Sequence, residues 1–218
     1  MDVSPLATIA LYAVPVVLAI TLHEAAHGYV ARMFGDQTAW MLGRVTLNPI
    51  KHIDPVGTVA VPAILLLVGS PFIFGWAKPV PVNFGNLRNP KQDMLWVAGA
   101  GPFVNFLMAI VWALLLKDSA PDGAFASDGL HLMASAGVQI NLMLMALNLL
   151  PILPLDGGRI LVSLLPHKLA VSYAATERYG LLIVIGLLML NHQLGVLDAL
   201  MRPILQAAEY VISGIVGL

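Results

Sequence analysis

His23-Glu24-Ala25-Ala26-His27 is the stretch of the sequence whose residue types and spacing could do chemistry together. In a helix turning about 100° per residue, the two histidines lie about 40° apart and Glu24 about 100° from His23, so all three share a face. Imidazoles at i and i+4 can offer ring nitrogens to one zinc ion at about 2 Å, and the adjacent carboxylate can take a proton from a water activated there. The same five-residue pattern also recurs on ordinary solvated helices. Here it lies inside the apolar run 6–30, flanked by Val16-Val17-Leu18-Ala19-Ile20, with no solvated face in view. Charged groups in such a run demand a ligand or partners.

A catalytic tetrahedral zinc keeps one position for water and takes three protein ligands, so His23 and His27 leave one wanting. Asp156, far along the chain in Leu155-Asp156-Gly157-Gly158-Arg159, is the candidate. Asp-Gly-Gly is also a strong turn signal, and Asp156 could simply cap a helix starting near Arg159. Two features favour the ligand. Both motifs fall at the same end of their helices, and no other carboxylate lies in the returning helix or its exit turn.

The elements that must bring these residues together are apolar. Of 218 residues, 59% are hydrophobic and 11% charged, and mean hydropathy is +0.85, a composition built for lipid. A net charge of -1 gives no reason to expect nucleic acid. The absence of cysteine excludes disulfides, thiol catalysis and Cys-based zinc sites. Met1-Asp2-Val3-Ser4-Pro5 lacks the basic region of a signal peptide, and cleaving the first apolar segment would discard the chemistry. One integral-membrane domain, 1–218, is expected, with a core over 5–166 and carboxy-terminal helices over 170–218.

In order, residues 5–33 are expected as a first membrane helix carrying Pro15 and ending at Arg32 and Gly35-Asp36. Residues 40–52 read as an extended stretch and turn at the interface. Asp54-Pro55 caps the apolar segment 56–68, which is short for a span and stops at Gly69-Ser70-Pro71. Next come residues 72–83, whose prolines deny a helix. A dip into the membrane with an extended return fits this region. Further helices are expected over 93–116, 130–150, from near Arg159 to Pro166, and 173–190; 194–218 either crosses or lies in the interface. The fold class is therefore all-α polytopic, with five to six membrane helices, a re-entrant helix and a short extended β element at the cytoplasmic side. Lysines and arginines then gather on one side, which the positive-inside rule makes cytoplasmic, and the amino terminus falls outside. His52, His131, His167 and His192 have no spacing partner, and Trp40, Trp76 and Trp96 suit interfacial belts.

HEAAH at 23–27, LNPIKHIDPVGT at 47–58, GWAKPVPVN at 75–83, AGAGPFVN at 98–105 and NLLPILPLDGGR at 148–159 run in order over most of the chain. In these the sequence resembles a compact site-2 protease, a zinc intramembrane metalloprotease without PDZ or CBS modules. The resemblance implies His23, His27 and Asp156 as metal ligands and Glu24 as catalytic base. It places the family's helix-pairing motif on Gly101 and Asn105, and its asparagine ahead of the LDG turn on Asn148, a candidate to bind the oxyanion. It makes GWAKPVPVN a membrane-associated extended region that helps present substrate; strand addition in turn makes Val80, Val82 and Asn83 a candidate edge for an unwound substrate segment. The implied partners are a membrane-protein substrate and the lipid bilayer; nothing sets an oligomeric state. Two other classes remain open: a metal-ion transporter, since intramembrane His and Asp also mark ion pathways, and a proteolytically inactive binding protein.

Overall fold

A computed structural model describes residues 5–68 and 75–217. The first apolar run forms helix α1, Pro5–Met33, continuous through Pro15. Its end is fixed by Gly35 at φ 112°, a conformation that glycine adopts without strain, and by Arg32 stacked over the Trp40 ring at 3.5 Å. After the short helix α2 (Thr38–Met41), residues 49–52 form a 3-10 turn in place of the extended stretch expected there. Asn48 causes it: its side chain accepts from Ile50 N at 3.1 Å, and Pro49 is preset for a first helical position. Asp54 caps the next segment as expected, accepting from Val56 N and Gly57 N. That segment is a π-helical turn, Pro55–Ala60, leading into α3, Val61–Leu67.

The expected break at 69–71 and the first residues of the non-helical stretch, 72–74, lie outside the described residues, as do 1–4 and 218. Residues 75–83 carry no regular secondary structure, and no strand, hence no β element, is formed among the described residues. The reason lies in the residue types. Pro79 and Pro81 have no N–H to give a ladder, and four of the remaining donors bind elsewhere. Trp76 N donates to Gly57 O, Lys78 N to His52 O, Val80 N to Glu24 and Asn83 N to Asp36.

Helix α4, Pro90–Asp118, begins three residues earlier than expected, because Pro90 suits the first position and the Asp93 carboxylate reaches back to Asn89 N at 2.7 Å. Helix α5 is Asp128–Asn148, and α6, Asp156–Leu164, starts on Asp156 itself. The expected helix over 173–190 is α8, which starts four residues later and runs Glu177–Leu194; it follows α7, His167–Ala174, across a bend of 62°. Helix α9, Val196–Val216, completes the chain.

Helices α1, α4 and α5 pack on one another as the central layer, with α6 against α4. Their contacts are lined by small residues: Ala19, Ala98, Ala109, Ala113, Ala134, Ala136 and Ala146 are buried. Between helices in lipid, where apolar burial gives little drive, such close approach is what packing relies on. Helix α9 lies along α4 and α5. Its start, Leu197 and Met201, meets Ala146 and Leu150, while Ala208, Ile212 and Val216 meet Ala109, Ala113, Leu142 and Met145. At the far end Lys117 Nζ donates to Val216 O at 2.6 Å. By length and composition α1, α4 and α5 can each cross a membrane, and the bent pair α7–α8 makes a fourth candidate.

Asp36, just past α1, ties the 75–86 region to this layer. Its buried carboxylate accepts from Thr38 N and Oγ1, Asn83 N and Asn86 Nδ2. Burial alone would raise its pKa, but those hydrogen bonds outweigh it and hold the carboxyl below the usual carboxylate range. Its stabilising contribution is therefore complete above the unfolded-chain value near about 4 and is lost as pH falls through the depressed folded value. Asp36→Ala is expected to cost about 3 kcal/mol by stranding buried donors, read as a lowered unfolding midpoint in detergent. Asp36→Asn should remove this part of the acid-side pH dependence.

Candidate metal centre

Helix α1 presents His23, Glu24 and His27 on one face, as their spacing requires, and α4 packs directly on that face. The approach is close because residue 101 is glycine: a Cβ there would lie 2.5 Å from His23 Cε1 and from His27 Nε2. The helix pairing expected of Gly101 is thus a contact with the two imidazoles themselves.

Each imidazole is oriented through its Nδ1. His27 Nδ1 is 2.7 Å from the Val97 carbonyl oxygen, which can only accept, so Nδ1 carries the proton. His23 Nδ1 is 2.6 Å from Asn105 Oδ1. The amide of Asn105 is itself fixed, since its Nδ2 donates to Asn141 Oδ1 at 2.9 Å and to Ala19 O at 3.3 Å. Asn141 Nδ2 in turn donates to Gly137 O. This chain of buried amides crosses from α5 through α4 to α1, and it leaves Asn105 Oδ1 as the acceptor and His23 Nδ1–H as the donor. Asn141 and the Val97 carbonyl escape sequence reasoning; the available signal was an asparagine inside each of two apolar helices.

With both protons on Nδ1, the two Nε2 lone pairs face one another at 3.1 Å. Asp156 completes the group: Oδ2 lies 3.2 Å from His23 Nε2, and Oδ1 lies 3.4 Å from His27 Nε2. Asp156 arrives there because the α5–α6 turn folds tightly back. A Cβ on Gly157 would meet Leu149 O at 2.3 Å, and one on Gly158 would meet Leu153 N at 2.5 Å. The alternative role for Asp156, a helix cap, is not realised, since the residue is the first of α6 and Leu155 precedes it as N-cap without a side-chain bond. Buried Asp156 Oδ2 has no hydrogen-bond donor at all.

Two lone pairs and a carboxylate converging without a proton repel one another unless a cation lies among them. Zinc bonds of about 2.0–2.1 Å at tetrahedral angles would separate ligand atoms by roughly 3.3 Å. The two Nε2 atoms, 3.1 Å apart, are near that spacing, and each has a different Asp156 oxygen beside it, Oδ2 at 3.2 Å from His23 and Oδ1 at 3.4 Å from His27. Among the described residues this is the one such group of histidine and carboxylate side chains.

A cavity of about 440 Å³ adjoins the group, lined in part by Glu24, Trp76, Val80, Asn148 and Arg159. Glu24 Oε2 accepts from Val80 N at 2.7 Å. Val82 lines the same cavity, whereas the backbone N–H of Asn83 is directed to Asp36. Asn148 spends one amide proton on Leu144 O at 2.9 Å and keeps the other. His52 is buried and bonded to Thr46 O, away from the group. The side chain of His192 lies outside the described residues.

Gly101→Ala is expected to push the imidazoles apart and lower zinc content at least about tenfold, as loss of ligand orientation does, measured by elemental analysis of purified protein. Gly99→Ala, where a Cβ meets nothing within 4 Å, should keep its metal.

The comparisons agree with this chemistry. The profile of Peptidase family M50 matches residues 116–191, which include Asp156. A Bacillus subtilis (strain 168) protein named "Putative zinc metalloprotease YwhC" is 40% identical over 187 residues, covering 84% of this chain and 82% of that protein. The Mycolicibacterium smegmatis "Putative zinc metalloprotease Rip2" is 29% identical over 78% of this chain, which spans only 63% of that protein. The Methanocaldococcus jannaschii "Zinc metalloprotease MJ0392" is 28% identical over 69% of this chain, which spans 33% of that protein. No solved structure matches. With a relative 40% identical over most of both chains and the family profile on the segment that carries Asp156, the chain belongs to peptidase family M50, the site-2 protease family of metalloendopeptidases.

Proposed function

We propose that this protein is a zinc-dependent endopeptidase hydrolysing peptide bonds within or near transmembrane segments of membrane proteins. The observation that carries this is the convergence of His23 Nε2, His27 Nε2 and Asp156 beside Glu24, in a bundle of apolar helices. In this reading His23, His27 and Asp156 hold one zinc ion. Zinc bound there would lower the pKa of a water towards about 7 and polarise the scissile carbonyl. Glu24, beside the site, would serve as the base that takes a proton from the attacking water and passes it to the leaving amine. Asn105 and the Val97 carbonyl hold the imidazoles with Nε2 unprotonated, ready for metal. Asn148, with one amide proton uncommitted, donates to the developing oxyanion. Apolar walls exclude competing water, which strengthens each of these interactions.

The wider arrangement belongs to the same reading. Helix α9 adds a fifth crossing to the four candidates, and the segments 55–68 and 75–83 belong to a re-entrant element that enters and leaves the bilayer on the same side. The end of α1 that carries Arg32 is cytoplasmic, the amino terminus is extracytoplasmic, and the bilayer is the prokaryotic cell membrane. The substrate enters as an unwound segment, since a helix hides its carbonyls in i to i−4 bonds.

Purified protein in lipid, given a tagged model substrate with one transmembrane segment, tests this. Wild type should cleave it and carry one zinc per chain. Glu24→Gln should keep the zinc and lose at least about 10²-fold in rate, the lower range for removing a general base. Asp156→Ala should lose zinc and activity together. Zinc-loaded wild type that never cleaves, or Glu24→Gln that cleaves normally, would overturn the proposal.

A further inference from the structure

Residues 79–82 are clamped on both sides. On the amino side the Arg44 guanidinium donates to Lys78 O at 2.9 Å and to Pro79 O at 3.4 Å, and Lys78 N is bonded to His52 O. On the carboxyl side Asn83 N is held by Asp36 Oδ2 at 2.7 Å. Between the clamps Pro79 and Pro81 have no N–H, so the only backbone donors are those of Val80 and Val82. Val80 precedes a proline and is therefore restricted to extended conformations. Its side chain is buried against α1, where a Cβ on Gly28 would lie 3.0 Å from Val80 Cγ1. Its N–H enters the cavity and ends on Glu24 Oε2 at 2.7 Å. The Val82 N–H has no partner among the described residues.

One backbone donor is therefore shared between two claimants. Glu24 holds it in this structure, and a peptide entering the cavity alongside residues 80–82 would present its carbonyl to the same N–H, as added strands do. We infer that the Val80 N–H is a latch on the Glu24 carboxylate that only an unwound peptide releases, by offering a backbone carbonyl in exchange. The exchange swaps one acceptor for another on a fixed donor, and no bond other than the hydrogen bond changes. Within a helical segment the carbonyls ahead of the last turn are already bonded, so the base stays tied until that part of a substrate is extended in the cavity. The latch also assigns Val80 a task distinct from that of Val82, whose N–H can take a second substrate carbonyl without disturbing the base. This inference rests on the proposed role of Glu24 as the base.

Amide hydrogen exchange on the full chain in lipid nanodiscs tests it without reference to catalysis, because 79–82 contains only the Val80 and Val82 amides. Val80 should exchange slowly in wild type and roughly 10- to 100-fold faster in Glu24→Ala, the range for losing a hydrogen bond to a charged group. Glu24→Gln keeps an acceptor oxygen and should stay within about tenfold of wild type, which separates loss of the latch from loss of the fold. A six-residue apolar peptide with a reduced-amide central bond, added to Glu24→Ala, should restore slow exchange; a stapled helical peptide of the same composition should not. Unchanged exchange in Glu24→Ala, no restoration by the extended peptide, or equal restoration by the helical one would each overturn the latch. If this pattern holds in a chain that cleaves no membrane substrate, the proposed function falls and the latch stands. Cleavage without the pattern has the opposite meaning.

Discussion

Two imidazole nitrogens face each other at 3.1 Å with their lone pairs inward and a carboxylate closing the third side, deep in an apolar helical layer. Nothing in such a place is favourable by itself. The ring orientation that produces this arrangement is held through the opposite nitrogens, with His27 Nδ1–H directed to the Val97 carbonyl and His23 Nδ1–H to Asn105. A divalent cation converts the repulsion into the strongest local attraction available, so the same geometry that is costly without a metal selects for one. Much of the surrounding structure can be read as what is needed to hold those three groups together.

That requirement reaches into helix packing. Asn105 can direct its oxygen at His23 only because Asn141 and Ala19 take its two amide protons, so α5 and α1 together set a side chain on α4. Membrane helices pack through small residues and polar bridges more than through apolar burial. Here the amide bridge and the glycine that admits the imidazoles are one turn apart on the same helix. Packing and site geometry are consequently not separable: a change that loosens the α1–α4 contact also misaligns the nitrogen donors.

A second constraint governs residues 75–83. Their prolines prevent them from joining a sheet or a helix, so they are held by side chains from elsewhere: Arg44 on one flank, Asp36 on the other and Glu24 in the middle. A segment held at its flanks and lightly in the centre can keep its position while its central donor changes partner. That is the mechanical basis for a cavity wall that also answers to what enters the cavity.

The ligand types, their spacing on α1 and the bounds of that helix were legible in the sequence, because i, i+4 geometry and an apolar run are local properties. The match of Asp156 to the histidines was legible only as an expectation of depth. Its placement depends on Gly157 and Gly158 allowing the turn to close against the backbone of 149–153, contacts that no spacing rule contains. Asp36 read as a helix stop, and its service as a four-donor anchor could not be foreseen, since Thr38, Asn83 and Asn86 meet only in space. The β element was expected from alternation in a proline-rich stretch, but the N–H groups of Trp76, Lys78, Val80 and Asn83 went to side chains and loops in place of a ladder. The sequence by itself determined which chemistry this chain carries and that the chemistry lies among apolar helices. Only the tertiary structure decided which ring nitrogens face inward and what holds the carboxylate of Glu24, because hydrogen-bond direction is set by partners distant along the chain.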